Sequence, residues 1–190
     1  MILRILKYGD PVLRKKGARI EFITLEIERL IADMLETMRA ARGVGLAAHQ
    51  VGHALQLAVL DVTGVTDRPS TLEIEGQPAA LESFMPVVLI NPEITPIGEY
   101  AKAPEGCLSF PEIYTDISRP ESVEVQAQNG HGEKFSFRAG GLLARAVQHE
   151  VDHLNGILFI DRMEMATRRE LKAELEALQA ETKANLQVKR

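Results

Sequence analysis

The sequence is poor in cysteine and in uninterrupted apolar segments. Its single cysteine, Cys107, has no partner within the chain for a disulfide, which favours a reducing compartment. No segment approaches the roughly 18 consecutive apolar residues of a membrane-spanning helix. The apolar N-terminal residues are interrupted by Arg4 and Lys7 and stop at Gly9, so they are too short and too polar for the core of a signal peptide. We therefore expect a cytoplasmic protein without a membrane segment.

An excess of positive charge is also absent. The 190 residues include 22 Lys and Arg against 27 Asp and Glu, which gives a net charge of −5. Proteins that bind nucleic acids usually carry a basic surface, so no direct nucleic-acid binding is predicted. Apolar residues at 45% and charged residues at 26% are typical of a globular chain. We expect one domain over residues 1–165, followed by a C-terminal helix over residues 166–190 whose polar end frays.

Three helices are predicted from the spacing of apolar residues. The first follows the candidate N-cap Thr24 and ends near Arg42. The second covers residues 141–154. The third begins at Thr167, where the sequence Thr-Arg-Arg-Glu matches a capping box.

Apolar runs and alternation predict strands between these helices. Residues 57–60 form one strand and residues 87–90 another, which Asn91-Pro92 is expected to close. Alternating residues between positions 123 and 137 predict a β-hairpin around Asn129-Gly130. The predicted fold class is α+β, with antiparallel strands packed around a central helix and with N-terminal and C-terminal helices.

The segment Gly64–Pro86 separates the first two predicted strands. It is polar and contains several proline and glycine residues. Such composition is typical of turns, so the segment is interpreted as a long surface loop or insertion. The sequence assigns it no role.

The strongest chemical signal is the pentapeptide His149-Glu150-Val151-Asp152-His153. Two histidines four positions apart lie on one helix face, so both rings can reach one metal ion at about 2.0–2.1 Å. Glu150 follows the first histidine and can take a proton from a metal-bound water. The alternative is a solvated helix face on which the two histidines are incidental.

A catalytic metal of this kind requires a third protein ligand. A third histidine at the spacing found in one group of zinc proteases is excluded, because Phe159 occupies that position. A downstream carboxylate is possible at Glu164, Glu170 or Glu174. The other candidate is Cys107, which is either a soft thiolate ligand or a small buried apolar residue. The residue types alone leave these alternatives open.

Three segments resemble the peptide deformylase family. They are residues 43–50 (GVGLAAHQ), 105–109 (EGCLS) and 148–156 (QHEVDHLNG), and they occur in the family's order at compatible separations. The sequence YGDPVLR at residues 8–14 is similar to the family's N-terminal pattern. The resemblance spans roughly residues 2–163, and the three motifs together are far more specific than the histidine pair alone.

The resemblance implies a hydrolase that removes the formyl group from the N-terminal formyl-methionine of newly made polypeptides. Cys107, His149 and His153 are implied as the ligands of one divalent metal ion. A metal-bound water attacks the formyl carbon, with Glu150 as the general base and then the general acid.

The resemblance further implies the groups that stabilise the developing oxyanion. These are the side-chain amide of Gln50 and the backbone N–H of Leu108, aided by the metal. Fe(II) is the implied metal in cells, although one thiolate and two imidazoles also suit Zn(II), Ni(II) or Co(II). The implied partners are nascent N-formyl-methionyl peptides, met near the ribosome exit.

The expected substrate-binding residues are Gly43, Val44, Gly45 and Leu142. The backbone of the two glycines is expected to be the edge along which the peptide lies as a strand. Val44 and Leu142 are candidate walls of a methionine pocket, although both are equally suited to the core. The sequence does not decide whether His49 or Arg145 contributes to the site.

Two rival functions are open. One is a zinc-dependent peptidase with a downstream carboxylate as the third ligand, in which metal binding would not depend on Cys107. The other is a deformylase-like protein that binds peptide or ribosome without catalysis. That protein would lack a metal ligand or the Glu150 base, and neither is missing from this sequence.

Overall fold

One antiparallel sheet and five α-helices organise the part of the chain that the computed structural model describes, residues 1–188. The helices are α1 (Leu25–Ala40), α2 (Leu81–Phe84), α3 (Gly141–Leu154), α4 (Met165–Glu170) and α5 (Lys172–Gln187). The strands are β1 (Gly45–Ala47), β2 (Leu57–Leu60), β3 (Ser70–Ile74), β4 (Gln77–Pro78), β5 (Val87–Cys107), β6 (Phe110–Gln128) and β7 (Lys134–Gly140). Their order in the sheet is β1-β2-β5-β6-β7-β3-β4, which confirms the predicted α+β class.

Helix α1 forms where the apolar spacing predicts it. The Thr24 hydroxyl caps its first turn by accepting a hydrogen bond from the Ile27 N–H at 3.4 Å. The buried side chains of its inner face pack with residues of β1 and β2. This packing holds β1, which enters the functional site, against the body of the protein.

Helix α3 is enclosed on nearly all sides. Of its fourteen residues, only Gly141 and Arg145 are not buried. Its apolar residues pack with one face of the sheet, while its polar segment from Gln148 to His153 faces the long strands β5 and β6. The predicted metal-binding helix is therefore the central helix of the fold.

The prediction that Asn91-Pro92 ends a strand was wrong. Strand β5 continues to Cys107, and the register with β6 shifts between Ile90 and Glu93. Asn91 adopts a left-handed conformation there, with φ 51°. Its side chain satisfies both backbone groups of Ile20, at 2.9 Å to the N–H and 2.7 Å to the carbonyl. The Asn-Pro pair thus produces a β-bulge within a continuing strand.

The segment Gly64–Pro86 is not the unstructured loop that its composition predicts. It contains β3, β4 and α2, and β3 pairs with β7 at the far side of the sheet. Strands β3 and β4 are joined by Glu75 and Gly76, both with positive φ. Such a two-residue turn is typical of a tight β-hairpin. The Glu-Gly pair was therefore a local indication of a hairpin within a segment whose polar composition favoured a loop.

The C-terminal helical region begins earlier than the capping box at Thr167 predicts. Helix α4 starts at Met165 after Glu164, and a break at Leu171 separates it from α5. Leu175 of α5 is buried, and Leu171 and Leu178 pack beside it. The division of the chain into a domain of residues 1–165 and a C-terminal helix stays a prediction. Across residues 1–188, none of the helices combines the length and apolar character needed to cross a bilayer.

Candidate metal centre and active site

Cys107, His149 and His153 converge in the structure. Cys107 is the last residue of β5, and the two histidines lie one turn apart on α3. One potential ligand atom from each side chain lies within 4.8 Å of the other two. The Cys107 Sγ is 3.3 Å from the His153 Nε2. The three residues expected to bind metal thus form one cluster from two separate elements.

The donors and their surroundings fit a single cation. The Nδ1–H of His149 donates to the Glu105 carboxylate at 3.1 Å, which leaves the Nε2 of that ring for a metal. Burial lowers the pKa of His153 well below its usual value, and a neutral imidazole is the form that binds metal. Burial also opposes charge on His149, yet Cys107 and Glu105 raise its pKa well above the usual value, so this position favours a positive charge.

Glu105 is the centre of a buried ion network. Its carboxylate accepts two hydrogen bonds from the Arg119 guanidinium, at 2.6 and 3.0 Å, and one from Arg145 at 2.8 Å. Burial opposes ionisation of this carboxyl group, but His149 and Arg119 outweigh it and lower its pKa to about 2. The ionised Glu105 therefore fixes the orientation of the His149 ring.

Asp152 extends the network from the turn of α3 that follows His149. It accepts from Arg119 at 2.8 Å and from Arg162 at 2.6 and 3.1 Å. Sequence reasoning gave no role to Glu105, Arg119 or Asp152. Glu105 and Asp152 lie inside the family motifs at residues 105–109 and 148–156, so these motifs could have indicated that both residues matter. Arg119 lies on β6 outside every motif, and only its side-chain contacts in the structure reveal it.

Glu150 is buried beside the Cys/His/His cluster. Its side chain is so close to Gly45 that a Cβ at that position would overlap the carboxyl group. Within residues 1–188 the Glu150 Oε2 has no hydrogen-bond partner. Burial raises the pKa of Glu150 to about 7, although His149 and Arg119 oppose the shift. A carboxyl group with this pKa can accept and return a proton near neutral pH.

Gln50 and Leu108 lie on two sides of Cys107. The Oε1 of Gln50 accepts the Ala47 N–H at 2.9 Å. This bond directs the Gln50 Nε2 toward the Ser109 Oγ at 3.2 Å and the Cys107 Sγ at 3.6 Å. Leu108 directly follows Cys107 in the turn between β5 and β6. The Gln50 Nε2 therefore faces the cluster, and Leu108 lines the same cavity.

A cavity of about 480 Å³ opens onto this cluster. Its walls include these residues with predicted roles: Gly43, Val44, Gly45, Gln50, Cys107, Leu108, Leu142, His149 and Glu150. Strand β1 pairs with β2 on one side and is the first strand of the sheet, so its other edge has no strand neighbour within residues 1–188. The structure thus brings the expected substrate-binding residues to the same cavity as the metal cluster.

The structure also places the residues that the sequence left undecided. Arg145 lines the cavity and, besides Glu105, donates to the carbonyls of Ile117 at 2.7 Å and Ala101 at 2.8 Å. His49 is fully buried against Gly17 and does not line the cavity. Burial lowers the pKa of His49. Arg145 therefore lines the cavity and joins the Glu105 ion network, whereas His49 lies outside the cavity walls.

The alternative carboxylate ligands lie elsewhere. Glu164, Glu170 and Glu174 are exposed, and Glu164 pairs with Lys102 at 2.7 Å. In the described part of the chain, the cysteine and the two histidines are the group of three whose ligand atoms converge. This geometry argues against a peptidase site completed by a downstream carboxylate.

An α+β fold that encloses a thiol, two imidazoles and a buried glutamate around one cavity defines the site of a metal-dependent hydrolase. The family model described as polypeptide deformylase matches residues 2–169. The peptide deformylase of Opitutus terrae is 46% identical over 186 residues, which cover 97% of this chain and 96% of that protein. The peptide deformylase of Methylacidiphilum infernorum is also 46% identical, over 94% of this chain and 93% of the relative.

Solved structures agree with these relatives. A peptide deformylase from Synechococcus elongatus in complex with actinonin has a TM-score of 0.77 at 41% identity, covering 93% of this chain and 85% of that chain. Peptide deformylase 1B of Arabidopsis thaliana, in complex with an inhibitor, has a TM-score of 0.82 at 37% identity, covering 96% and 93%.

The chain belongs to the polypeptide deformylase family. The family and the hydrolase class predicted from the sequence are therefore confirmed. The family uses a single metal ion, which agrees with the Cys/His/His cluster, while the identity of the metal stays a prediction.

Replacement of Arg119 should destabilise the protein strongly. Arg119→Met leaves the buried carboxylates of Glu105 and Asp152 without their shared cation, so we expect a loss of about 3–5 kcal/mol in the free energy of unfolding. Denaturant unfolding measures the loss. Arg138→Met is the matched control, because Arg138 is exposed and lies 3.9 Å from Glu73. Equal stability of the two variants would contradict this role for the network.

Proposed function

We propose that the chain removes the formyl group from the N-terminal formyl-methionine of newly made polypeptides, releasing formate and a free amine. One observation carries the proposal. Gly45 at the start of β1, Glu150, and the Cys107 and His149 members of the Cys/His/His cluster all border a single cavity. An extended peptide on the edge of β1 has its first residue next to both the metal site and a proton acceptor.

Cys107, His149 and His153 would hold one divalent ion, which supplies Lewis acidity and makes water nucleophilic at neutral pH. Glu150 takes the proton of the attacking water and delivers it to the leaving amine. The Gln50 Nε2 and the Leu108 N–H donate hydrogen bonds to the oxyanion that develops on the formyl oxygen. Support for these roles comes from the convergence of the three ligands, the cavity that Glu150, Gln50 and Leu108 line, the pKa of about 7 at Glu150 and the resemblance of the three motifs.

The peptide binds as a strand beside Gly43 and Gly45, whose lack of side chains permits a close approach. Val44 and Leu142 form apolar walls for the methionine side chain. Both residues also pack with the core around α3, so the pocket is an extension of that core. A Cβ at Gly45 would meet Glu150 and one at Gly43 would meet the Leu108 side chain, which supports a peptide path along the reacting groups.

Fe(II) is the metal that we propose for the enzyme in cells, because a thiolate and two imidazoles suit it and the family resemblance favours it. Zn(II), Ni(II) and Co(II) suit the same donors. We place the reaction in the cytoplasm near the ribosome exit, where formylated N-termini first become accessible. Metal content after anaerobic purification, measured together with activity, tests the choice of metal.

Removal of the thiol should release the metal. Cys107→Ala reduces three ligands to two histidines, which bind a divalent ion weakly, so we expect metal content and activity to fall together. Elemental analysis measures the metal. Glu164→Ala, Glu170→Ala and Glu174→Ala are the controls, because a peptidase with a downstream carboxylate ligand would lose metal in one of them. Full metal occupancy in Cys107→Ala contradicts the proposed ligand set.

Glu150→Gln should keep the metal and lose turnover. The amide preserves the shape of the side chain but cannot accept a proton, so we expect kcat to fall by about 10²–10⁴-fold. Glu181→Gln, an exposed change on α5, is the control. A normal kcat in Glu150→Gln with bound metal would assign the base to another residue.

Selectivity tests the proposed substrate. Loss of methionine burial costs about 1.5–3 kcal/mol, so kcat/KM should be roughly 10- to 150-fold higher for a formyl-Met peptide than for its formyl-Ser counterpart. Acetyl-Met peptides should be poor substrates. The acetyl group is larger than formyl, and the site between Gln50 and the three metal ligands would have to accommodate its additional methyl group. Equal rates for formyl-Met and formyl-Ser would exclude the methionine pocket, and rapid acetyl-Met hydrolysis would exclude the size argument.

A further inference from the structure

Three consecutive residues near the N-terminus bond to the segments that carry both proposed oxyanion donors. The Leu6 N–H donates to the Gln50 carbonyl at 2.8 Å, and the Tyr8 N–H donates to the Ser109 carbonyl at 2.9 Å. Between them, the Lys7 Nζ donates to the Leu108 carbonyl at 2.8 Å. Residues 6–8 are called the N-terminal strap below. The strap therefore connects the two donor segments, which come from distant parts of the sequence.

We propose that Lys7 is a positioning residue for deformylation, which holds the Leu108 turn so that the Leu108 N–H stays directed at the oxyanion. This inference rests on the proposed function, because it assigns Lys7 a role through a donor of that reaction. Lys7 acts through the backbone of Leu108, to whose carbonyl its ammonium group donates a hydrogen bond.

The environment of Lys7 differs from that of an ordinary surface lysine. Lys7 is half-buried and lines the active-site cavity. Burial lowers the pKa of its amine, although the nearby Cys107 opposes the shift. Among residues 1–188 no carboxylate pairs with it, and the Leu108 carbonyl is its hydrogen-bond acceptor. An ammonium group that is partly removed from water and has no carboxylate partner indicates that the contact with Leu108 is specific.

The Leu108 turn needs such a restraint. Leu108 and Ser109 form the two-residue connection between β5 and β6, and the ladder closes at the pair Cys107 and Phe110. The peptide groups inside a turn lie outside the strand ladder and can rotate more easily than those within it. Catalysis by an oxyanion hole depends on donors that are oriented before the reaction begins. Bonds to the carbonyls of both turn residues restrict the two peptide groups that follow the Leu108 N–H, and through the Leu108 backbone they limit the rotation of that N–H.

The strap itself is held from both sides. The Tyr8 ring stacks on Phe110 with ring centroids 4.8 Å apart. On the other side, Gly9 is packed so closely against α5 that an added Cβ would lie 2.8 Å from the Gln179 carbonyl oxygen. Strap, turn and C-terminal helix thus form one packed unit, and Lys7 is the strap residue whose side chain reaches the turn.

The test compares Lys7→Met, which removes the donor, with Lys7→Arg, which retains one. Lys16→Met is the matched control, because Lys16 is exposed and lines none of the cavity walls. The assay uses metal-loaded enzyme and a formyl-Met tripeptide. We expect kcat to fall about 10-fold in Lys7→Met, because the Leu108 N–H is then misdirected but still present. KM and metal content should not change, and Lys7→Arg should restore most of kcat.

A second measurement follows the turn without catalysis. Hydrogen exchange of the amides at residues 106–110 should be faster in Lys7→Met than in the wild type, Lys7→Arg and Lys16→Met. If Lys7→Met does not fold, Lys7→Gln replaces it with the same expected results, because its side chain is too short to reach the carbonyl. A wild-type protein inactive on formyl peptides would contradict the proposed function, while the exchange data would still decide whether the strap holds the turn.

Three results would overturn the inference. Unchanged exchange in the turn would show that Lys7 does not restrain it. A raised KM with an unchanged kcat would show that Lys7 contacts the substrate. A kcat difference between the wild type and Lys7→Met that disappears at high salt would show that the lysine acts as a distant charge, because a bond at 2.8 Å in a half-buried position is weakly screened.

Discussion

The Glu105 carboxylate is the group on which the rest of the site depends. A carboxylate is costly to bury unless its charge and lone pairs are satisfied, and Glu105 is satisfied by three separate cations or donors. Arg119 comes from the opposite strand, and Arg145 and His149 come from the central helix. Because these contacts join β5, β6 and α3 at one point, they fix Cys107 relative to the two histidines.

Enclosure of the central helix has a consequence for the chemistry as well as for the packing. The low dielectric around α3 strengthens the ion network and also raises the pKa of Glu150 to about 7. Asp152, two residues further along, pairs with Arg119 and Arg162. Two acidic residues of one helical turn therefore differ in role because only one of them has a cationic partner.

The sequence predicted the parts of this site that follow from spacing within one element, and it missed those that depend on pairing between elements. The histidine pair and Glu150 follow from the helical repeat, and the boundaries of α3 follow from the apolar pattern. Arg119 could not be found in this way, because it lies on another strand and reaches Glu105 only through its long side chain. Asn91 misled the prediction for a related reason, since its bulge is stabilised by the distant backbone of Ile20.

Gly45 links the geometry of catalysis to that of substrate binding. An exposed strand edge is normally a liability, but β1 has three residues and its free edge borders a cavity. A side chain at Gly45 would overlap the Glu150 carboxyl group, so glycine is required for Glu150 to lie beside this edge. In the proposed function, the same missing side chain would let a peptide backbone approach the strand. A substitution at Gly45 would then disturb both the Glu150 carboxyl group and the bound peptide, because both depend on this one position.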